Sequence, residues 1–93
     1  MSQEIQVHAI FKGNVQGIGF RATGRYFAQQ LGLNGTIRNR EDGSVEMHVQ
    51  GTKEAIDKLI QQMQTEFGQE YIQAIDQTVQ PIIQKIDGFH IVR

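Results

Sequence analysis

The sequence predicts an α+β, ferredoxin-like sandwich: elements in the order β-α-β-β-α-β with a short extra C-terminal strand, a mostly antiparallel sheet, and both helices on one face. Three observations predict it. Apolar residues alternate with period two in several short runs. Two longer runs between them carry helical spacing instead. An Asp42-Gly43 step joins the second and third strand runs, and Asp-Gly is a strong hairpin signal.

Ile5, Val7, Ala9 and Phe11 alternate with mostly polar neighbours and give the first, half-buried strand. Three glycines follow, at Gly13, Gly17 and Gly19. From about Arg21 to Leu31 the spacing of Ala22, Tyr26, Phe27 and Leu31 predicts a helix with those residues on one face. Gly32 fits the position just past its end. Leu33 to Asn39 reads as a second strand, broken by Asn34-Gly35. Arg40-Glu41-Asp42-Gly43 is the turn. Val45, Met47 and Val49 alternate with Glu46, His48 and Gln50 in a third strand. Thr52 is placed to cap the next helix. Its apolar face is Ile56, Leu59, Ile60, Met63 and Phe67. Beyond Gly68 the pattern weakens. Tyr71 to Val79 reads as a strand without a defined inner face, Pro81 as an edge or break, Asp87-Gly88 as a turn, and Phe89 to Val92 as the last strand. The glutamines of the C-terminal half, Gln80 and Gln84 among them, read as solvated positions.

Ninety-three residues predict one domain, residues 1–93, with a modest core. Without cysteine there is no disulfide, zinc thiolate or cysteine nucleophile. The polar start beginning at Met1 and Ser2 does not read as a signal peptide, and no segment approaches membrane-spanning length, so a cytoplasmic protein without a membrane partner is expected. The net charge of −1 gives no reason to expect nucleic acid. The charge is uneven, however. Residues 1–40 hold five basic side chains against Glu4 alone, and they contain the glycine loop. A positive field there would draw a small anion.

The loop Gly13-Asn14-Val15-Gln16-Gly17-Ile18-Gly19-Phe20-Arg21 carries most of the chemistry. Glycines permit positive φ and close approach of a ligand to the main chain. Amides at the start of a helix favour an anion. Arg21 would add a planar fork suited to phosphate or carboxylate oxygens. Gly17 to Ala22 also fits G-x-G-x-x-A, but the acidic pair Glu41 and Asp42 sits in a hairpin turn, and the chain is too short for a two-halved dinucleotide sheet. No Gly-Lys-Ser/Thr follows the glycines, so a Walker loop is absent. His8, His48 and His90 lie in strands at no recognisable ligand spacing. They read as surface histidines, with His8 and His48 able to share the exposed sheet face, and no metal is expected. No serine or threonine has a recognisable base beside it. Catalysis by binding remains: phosphoryl transfer depends mainly on positioning and charge stabilisation. An RNA-binding sheet would need exposed aromatics and a basic surface, where this one offers Gln6, His8, Glu46 and His48.

The nine-residue loop resembles the signature loop of the acylphosphatases, G-x-V-Q-G-V-x-F-R. The segment Leu31 to Glu46, with Asn39 ahead of Asp42-Gly43 and Val45-Glu46, is similar to their second signature, G-x-V-x-N-x-x-D-G-x-V-E. Together the motifs cover about a third of the chain. The resemblance implies a small hydrolase that splits the carboxyl–phosphate bond of acyl phosphates without metal, cofactor or covalent intermediate. It implies that Arg21 binds phosphate oxygens, that backbone amides across Asn14, Val15, Gln16, Gly17, Ile18, Gly19 and Phe20 complete the cradle, and that Asn39 orients the attacking water. An asparagine has a donor and an acceptor and suits that task. Inorganic phosphate is then product or competitive ligand, and a monomer is expected. The chain departs from the pattern at Asn14, where many members carry Arg or Lys, at Ile18 for Val, at Thr36 for an aromatic, and after Phe67, where a Gly-Pro turn is usual. The departures after Phe67 and the loss of charge at Asn14 motivate a second reading, a non-catalytic anion- or partner-binding module on the same fold.

Overall fold

The computed structural model describes residues 3–93; the reading of Met1 and Ser2 lies outside them. The order is β1 (Glu4–Gly13), α1 (Phe20–Gln30), β2 (Asn34–Asn39), β3 (Val45–Thr52), α2 (Lys53–Tyr71), β4 (Ile72–Gln80) and β5 (Phe89–Ile91). The sheet runs β4-β1-β3-β2-β5. β1 pairs antiparallel with β3 and β4, β2 antiparallel with β3, and only the short β5 lies parallel, against β2. This is the ferredoxin-like sandwich expected, with β5 added at the edge.

Alternation decides which sheet face is covered. Val7, Ala9 and Phe11 of β1, Ile37 of β2, and Val45, Met47 and Val49 of β3 pack with Phe20 and Ala28 of α1 and Ile56, Leu59, Ile60 and Met63 of α2 in one core. Burying such side chains stabilises by roughly 1.5–3 kcal/mol each, before the entropy of ordering them. Thr52 caps α2 as its position predicts: its Oγ1 accepts from the Ala55 N–H at 3.2 Å. α1 ends in a pair of bonds, Leu33 N–H to the Ala28 carbonyl at 2.9 Å and Gly32 N–H to that of Gln29 at 3.1 Å, the arrangement that closes a helix through a glycine.

Three details differ from the sequence reading. The inner face of α1 is Phe20, Gly24 and Ala28, with Phe27 and Leu31 beside it, while Tyr26 is 58% exposed and Ala22 faces outward. Gly24 is the reason. A Cβ there would lie 3.0 Å from Ile37 Cδ1 and 3.4 Å from Met63 Cε, so the helix rests on the sheet through its smallest residue. β2 is not broken at Asn34-Gly35, because Gly35 pairs with Val49 on one side and Phe89 on the other. The glutamines are not all solvated. Gln80, Gln6 and Gln50 stand side by side in one cross-strand row. Gln6 Nε2 donates to Gln80 Oε1 at 3.3 Å, and Gln50 Nε2 donates to Gln6 Oε1 at 2.8 Å.

That row carries the chain between the two edges of the sheet. Gln50, 2% exposed, also donates to the Gln84 carbonyl at 2.8 Å and accepts from the Ile86 N–H at 2.9 Å. Gly88 N–H then reaches Asn34 Oδ1 at 3.0 Å, at the β2 end of the same row. Residues 81–88 are thus pinned by the buried Gln50 along their middle and by Asn34 at their end. Gln50→Ala leaves the Ile86 amide without its partner and is expected to cost about 1–3 kcal/mol, read as a lowered midpoint in thermal or urea unfolding.

Candidate functional site

β1 ends in an irregularity that starts the glycine loop. Its register against β4 steps from Lys12↔Ala74 to Gly13↔Ile72, leaving Gln73 as the extra residue of a bulge. At Gly13 the backbones come together. A Cβ would lie 2.3 Å from the Tyr71 carbonyl oxygen, at a φ of 130°, so no side chain fits. The chain then runs to α1 with φ of 79° at both Gly17 and Gly19. An added Cβ meets nothing at either position, so glycine is required there by conformation, not by space. Val15 and Phe20 are the loop's anchors, 0% and 2% exposed, and Phe20 packs edge-on to Phe11.

The start of α1 is left open. Its capping residue is Gly19, no side chain caps it, and no acidic residue stands in the first turn. The first amides of the helix therefore point outward unpaired, the arrangement that favours an anion. Arg21, in the same turn, makes no salt bridge among the described residues. By contrast, Lys12 is paired with Asp76 at 2.7 Å and Arg38 with Glu46 at 2.6 Å. Of the positive N-terminal half, Arg21 is the charge that both lines the cavity and stays unpaired.

That cavity, about 240 Å³, is lined by Val15, Gly17, Gly19, Phe20, Arg21, Ala22, Asn39 and Ile91. Arg21 and Asn39, 18 residues apart in sequence, are thus brought to one place. Asn39 is the last residue of β2, ahead of the hairpin turn. Its Oδ1 is buried and accepts no hydrogen bond among the described residues. A buried acceptor left unpaired is costly, on the order of 1–3 kcal/mol, and calls for an explanation.

Not every expected loop residue lines the cavity. Asn14 and Gln16 are exposed and Ile18 is half-buried against the core. Gln16 has a different task. Its Nε2 donates to the Arg40 carbonyl at 2.8 Å and to the Ser44 carbonyl at 3.0 Å. One side chain thereby clips the glycine loop to the hairpin that follows Asn39. Two further features escape sequence reasoning. Ile91 comes from a three-residue strand and walls the cavity, and the clip by Gln16 has no signal in a lone glutamine.

The hairpin is stiffened from within. Asp42 Oδ1 accepts from the Ser44 N–H at 3.0 Å and from its hydroxyl at 2.5 Å. Those two bonds hold the Asp42 carboxyl below its usual range, the hydroxyl bond contributing most. A depressed folded-state value means stability that is present above the ordinary carboxylate range and lost as pH falls through the folded value. Asp42→Ala is therefore expected to lower the melting temperature at neutral pH. The gap from wild type should narrow as pH falls below the ordinary carboxylate range in calorimetric scans.

Fold and cavity together define a ferredoxin-like sandwich with a glycine-loop site at the start of its first helix. Comparisons with known proteins bear on the fold and the family. A family model described as Acylphosphatase matches residues 7–91. An acylphosphatase of Picrophilus torridus is 48% identical over 67 residues, covering 72% of this chain and 79% of that protein. One from Synechococcus sp. (strain JA-2-3B'a(2-13)) is 35% identical over 81 residues, covering 87% and 86%. With other relatives the aligned stretch spans as little as 58% of the relative's own length. The crystal structure of acylphosphatase from Bacillus subtilis superposes with a TM-score of 0.88 at 28% identity, covering 96% of this chain and 99% of that one. The chain belongs to the acylphosphatase family.

Proposed function

We propose that the cavity between the glycine loop and Asn39 is the active site of an acylphosphatase. The protein is an acylphosphatase by family and structural likeness, a hydrolase of the carboxyl–phosphate bond with a small-molecule acyl phosphate as substrate. Our reading assigns the parts. Arg21 forks two phosphoryl oxygens, and the outward amides of the loop and of the first turn of α1 hold the rest of the charge. Asn39 Oδ1 accepts a hydrogen bond from a water and aligns its oxygen with phosphorus. The water oxygen forms the new P–O bond as the P–O bond to the acyl group breaks. The acyl group leaves as carboxylate, which needs no proton, and the water proton passes to a phosphoryl oxygen. Water, an acyl phosphate, a carboxylate and inorganic phosphate balance without a protein base. The observation that carries this reading is that Asn39, whose buried Oδ1 has no partner among the described residues, lines the same cavity as Arg21.

Inorganic phosphate should bind the same site as product and competitive ligand. The chain is proposed to act as one domain and as a monomer in the cytoplasm. No helix among the described residues is long and apolar enough to cross a membrane. The test is the loss of a synthetic acyl phosphate above its spontaneous rate, with phosphate as inhibitor. Acceleration that phosphate suppresses supports the assignment. Phosphate binding at the loop without acceleration would turn the site into a binding module.

A further inference from the structure

The sheet face away from the helices carries a second cluster that the reaction does not use. His8 and His48 are direct cross-strand partners on β1 and β3, and Glu46 stands two residues from His48 along β3. The two imidazoles stack, with centroids 4.6 Å apart and planes 13° from parallel. Both Nε2 atoms converge on one carboxylate oxygen: Glu46 Oε2 lies 2.6 Å from that of His8 and 3.9 Å from that of His48. The three possible ligand atoms all lie within 4.8 Å of one another. The side chains are 25%, 36% and 12% exposed, so the cluster is partly sheltered yet reachable from solvent.

We propose that His8, Glu46 and His48 form a binding site for a divalent ion of the zinc class. Two imidazoles and one carboxylate with an open fourth position suit zinc and its borderline neighbours. Magnesium and calcium require sets of oxygen ligands and fit poorly. Bonds of about 2.0–2.2 Å place neighbouring ligand atoms of a tetrahedral centre about 3.3 Å apart. Small rotations of the imidazoles bring them there, because paired strands already hold both β-carbons about 4.5–5.5 Å apart. The carboxylate is oriented from behind. Arg38 Nε donates to the other oxygen, Oε1, at 2.6 Å, leaving Oε2 to the metal. Its positive charge opposes a cation, so the site is of moderate affinity and selects by ligand type. Thr36 and Gln6 lie beside His48 along a cavity of about 570 Å³ under residues 80–86, where water for the fourth position has room. His90 takes no part: its ring nitrogen is engaged by the Asp87 carbonyl.

The test uses the full chain, stripped with EDTA and titrated with zinc chloride at about pH 7.5, where unperturbed imidazole is neutral. Calorimetry is expected to give one site. Histidine ring-nitrogen NMR is expected to shift His8 and His48 and leave His90 in place. The paired change His8→Gln with His48→Gln should lower affinity by more than the about 10–100-fold that loss of an outer-shell partner costs. Glu46→Gln should weaken binding while circular dichroism stays native. Magnesium should give no heat. Acyl phosphate hydrolysis by the stripped protein should be unchanged in every variant, which separates this site from the catalytic one. Absence of saturable binding below about 0.1 mM zinc overturns the proposal. Shifts confined to His90, or full affinity in the double variant, overturn it equally. The ring-nitrogen shifts are read on the wild-type chain and do not depend on any variant folding.

Discussion

Arg21→Ala is expected to lower kcat/KM for an acyl phosphate by at least about 10²–10³-fold, the loss that follows removal of one preorganised donor at a site of developing charge. The loss should exceed that range, because a guanidinium supplies two parallel bonds as well as full charge. The surroundings of Arg21 add to this. Lys12 and Arg38 are each engaged by a carboxylate, so neither lies free to replace it. Asn14, exposed and uncharged, offers no second positive group beside the loop. Arg21→Lys restores charge without the fork and should recover only a small part of the rate. Inhibition by inorganic phosphate should weaken in parallel, since substrate and product share the same oxygens. The fold should persist in both variants, because Arg21 lies outside the core and no ion pair among the described residues depends on it. Steady-state rates with unfolding curves alongside would check this. Near-wild-type turnover in a folded Arg21→Ala protein would remove the arginine from the mechanism.

What the sequence shows of this molecule follows how each element is buried. β1 and β3 are covered on one face only, so their apolar residues alternate cleanly and their pairing is legible. β4 is an edge strand, exposed along most of its length, with Ile72 alone buried, so it has little alternation to read. The inner face of α1 is misleading for a different reason. The helix lies against the sheet through Gly24, and a glycine adds nothing to a hydrophobic pattern. Tyr26, apolar enough to count, faces solvent. Glutamines are equally ambiguous. Gln50 is buried in a network while Gln61 and Gln64 are exposed, and only tertiary placement separates them.

The candidate site was legible because two motifs fall in one chain. The sequence identifies Arg21 and Asn39 but not what holds them at a fixed separation. The structure places that task on side chains with little pattern of their own. Gln16 ties the glycine loop to the carbonyls of Arg40 and Ser44, Asp42 ties Ser44, and the Arg40 N–H bonds the Ser44 carbonyl at 2.8 Å. The glycine loop and the hairpin that follows Asn39 are thereby joined in one small hydrogen-bonded unit. Such preorganisation matters because misplacement by about 1 Å can cost about 10² in rate.

Asn39→Ala tests the second assigned residue, and its expected signature differs from that of Arg21→Ala. The asparagine donates nothing to the phosphate in this assignment, so phosphate affinity and KM should stay near wild type while kcat falls about 10²-fold. Folded stability should not fall by the usual cost of losing a buried polar side chain. Oδ1 has no partner to abandon among the described residues, and truncation relieves an unpaired acceptor. Lost turnover with retained or slightly raised stability is the combination expected where a group is kept for function at some cost to the fold. Asn39→Asp separates geometry from charge. It keeps an acceptor at the same place but puts a negative group beside the phosphoryl oxygens, so substrate and phosphate should both bind more weakly as the carboxyl ionises. Measured kcat, KM and phosphate inhibition for the two variants distinguish the cases. Phosphate binding lost in Asn39→Ala with normal turnover would transfer the residue from the water to the cradle, and the cavity would then need another group to align the nucleophile.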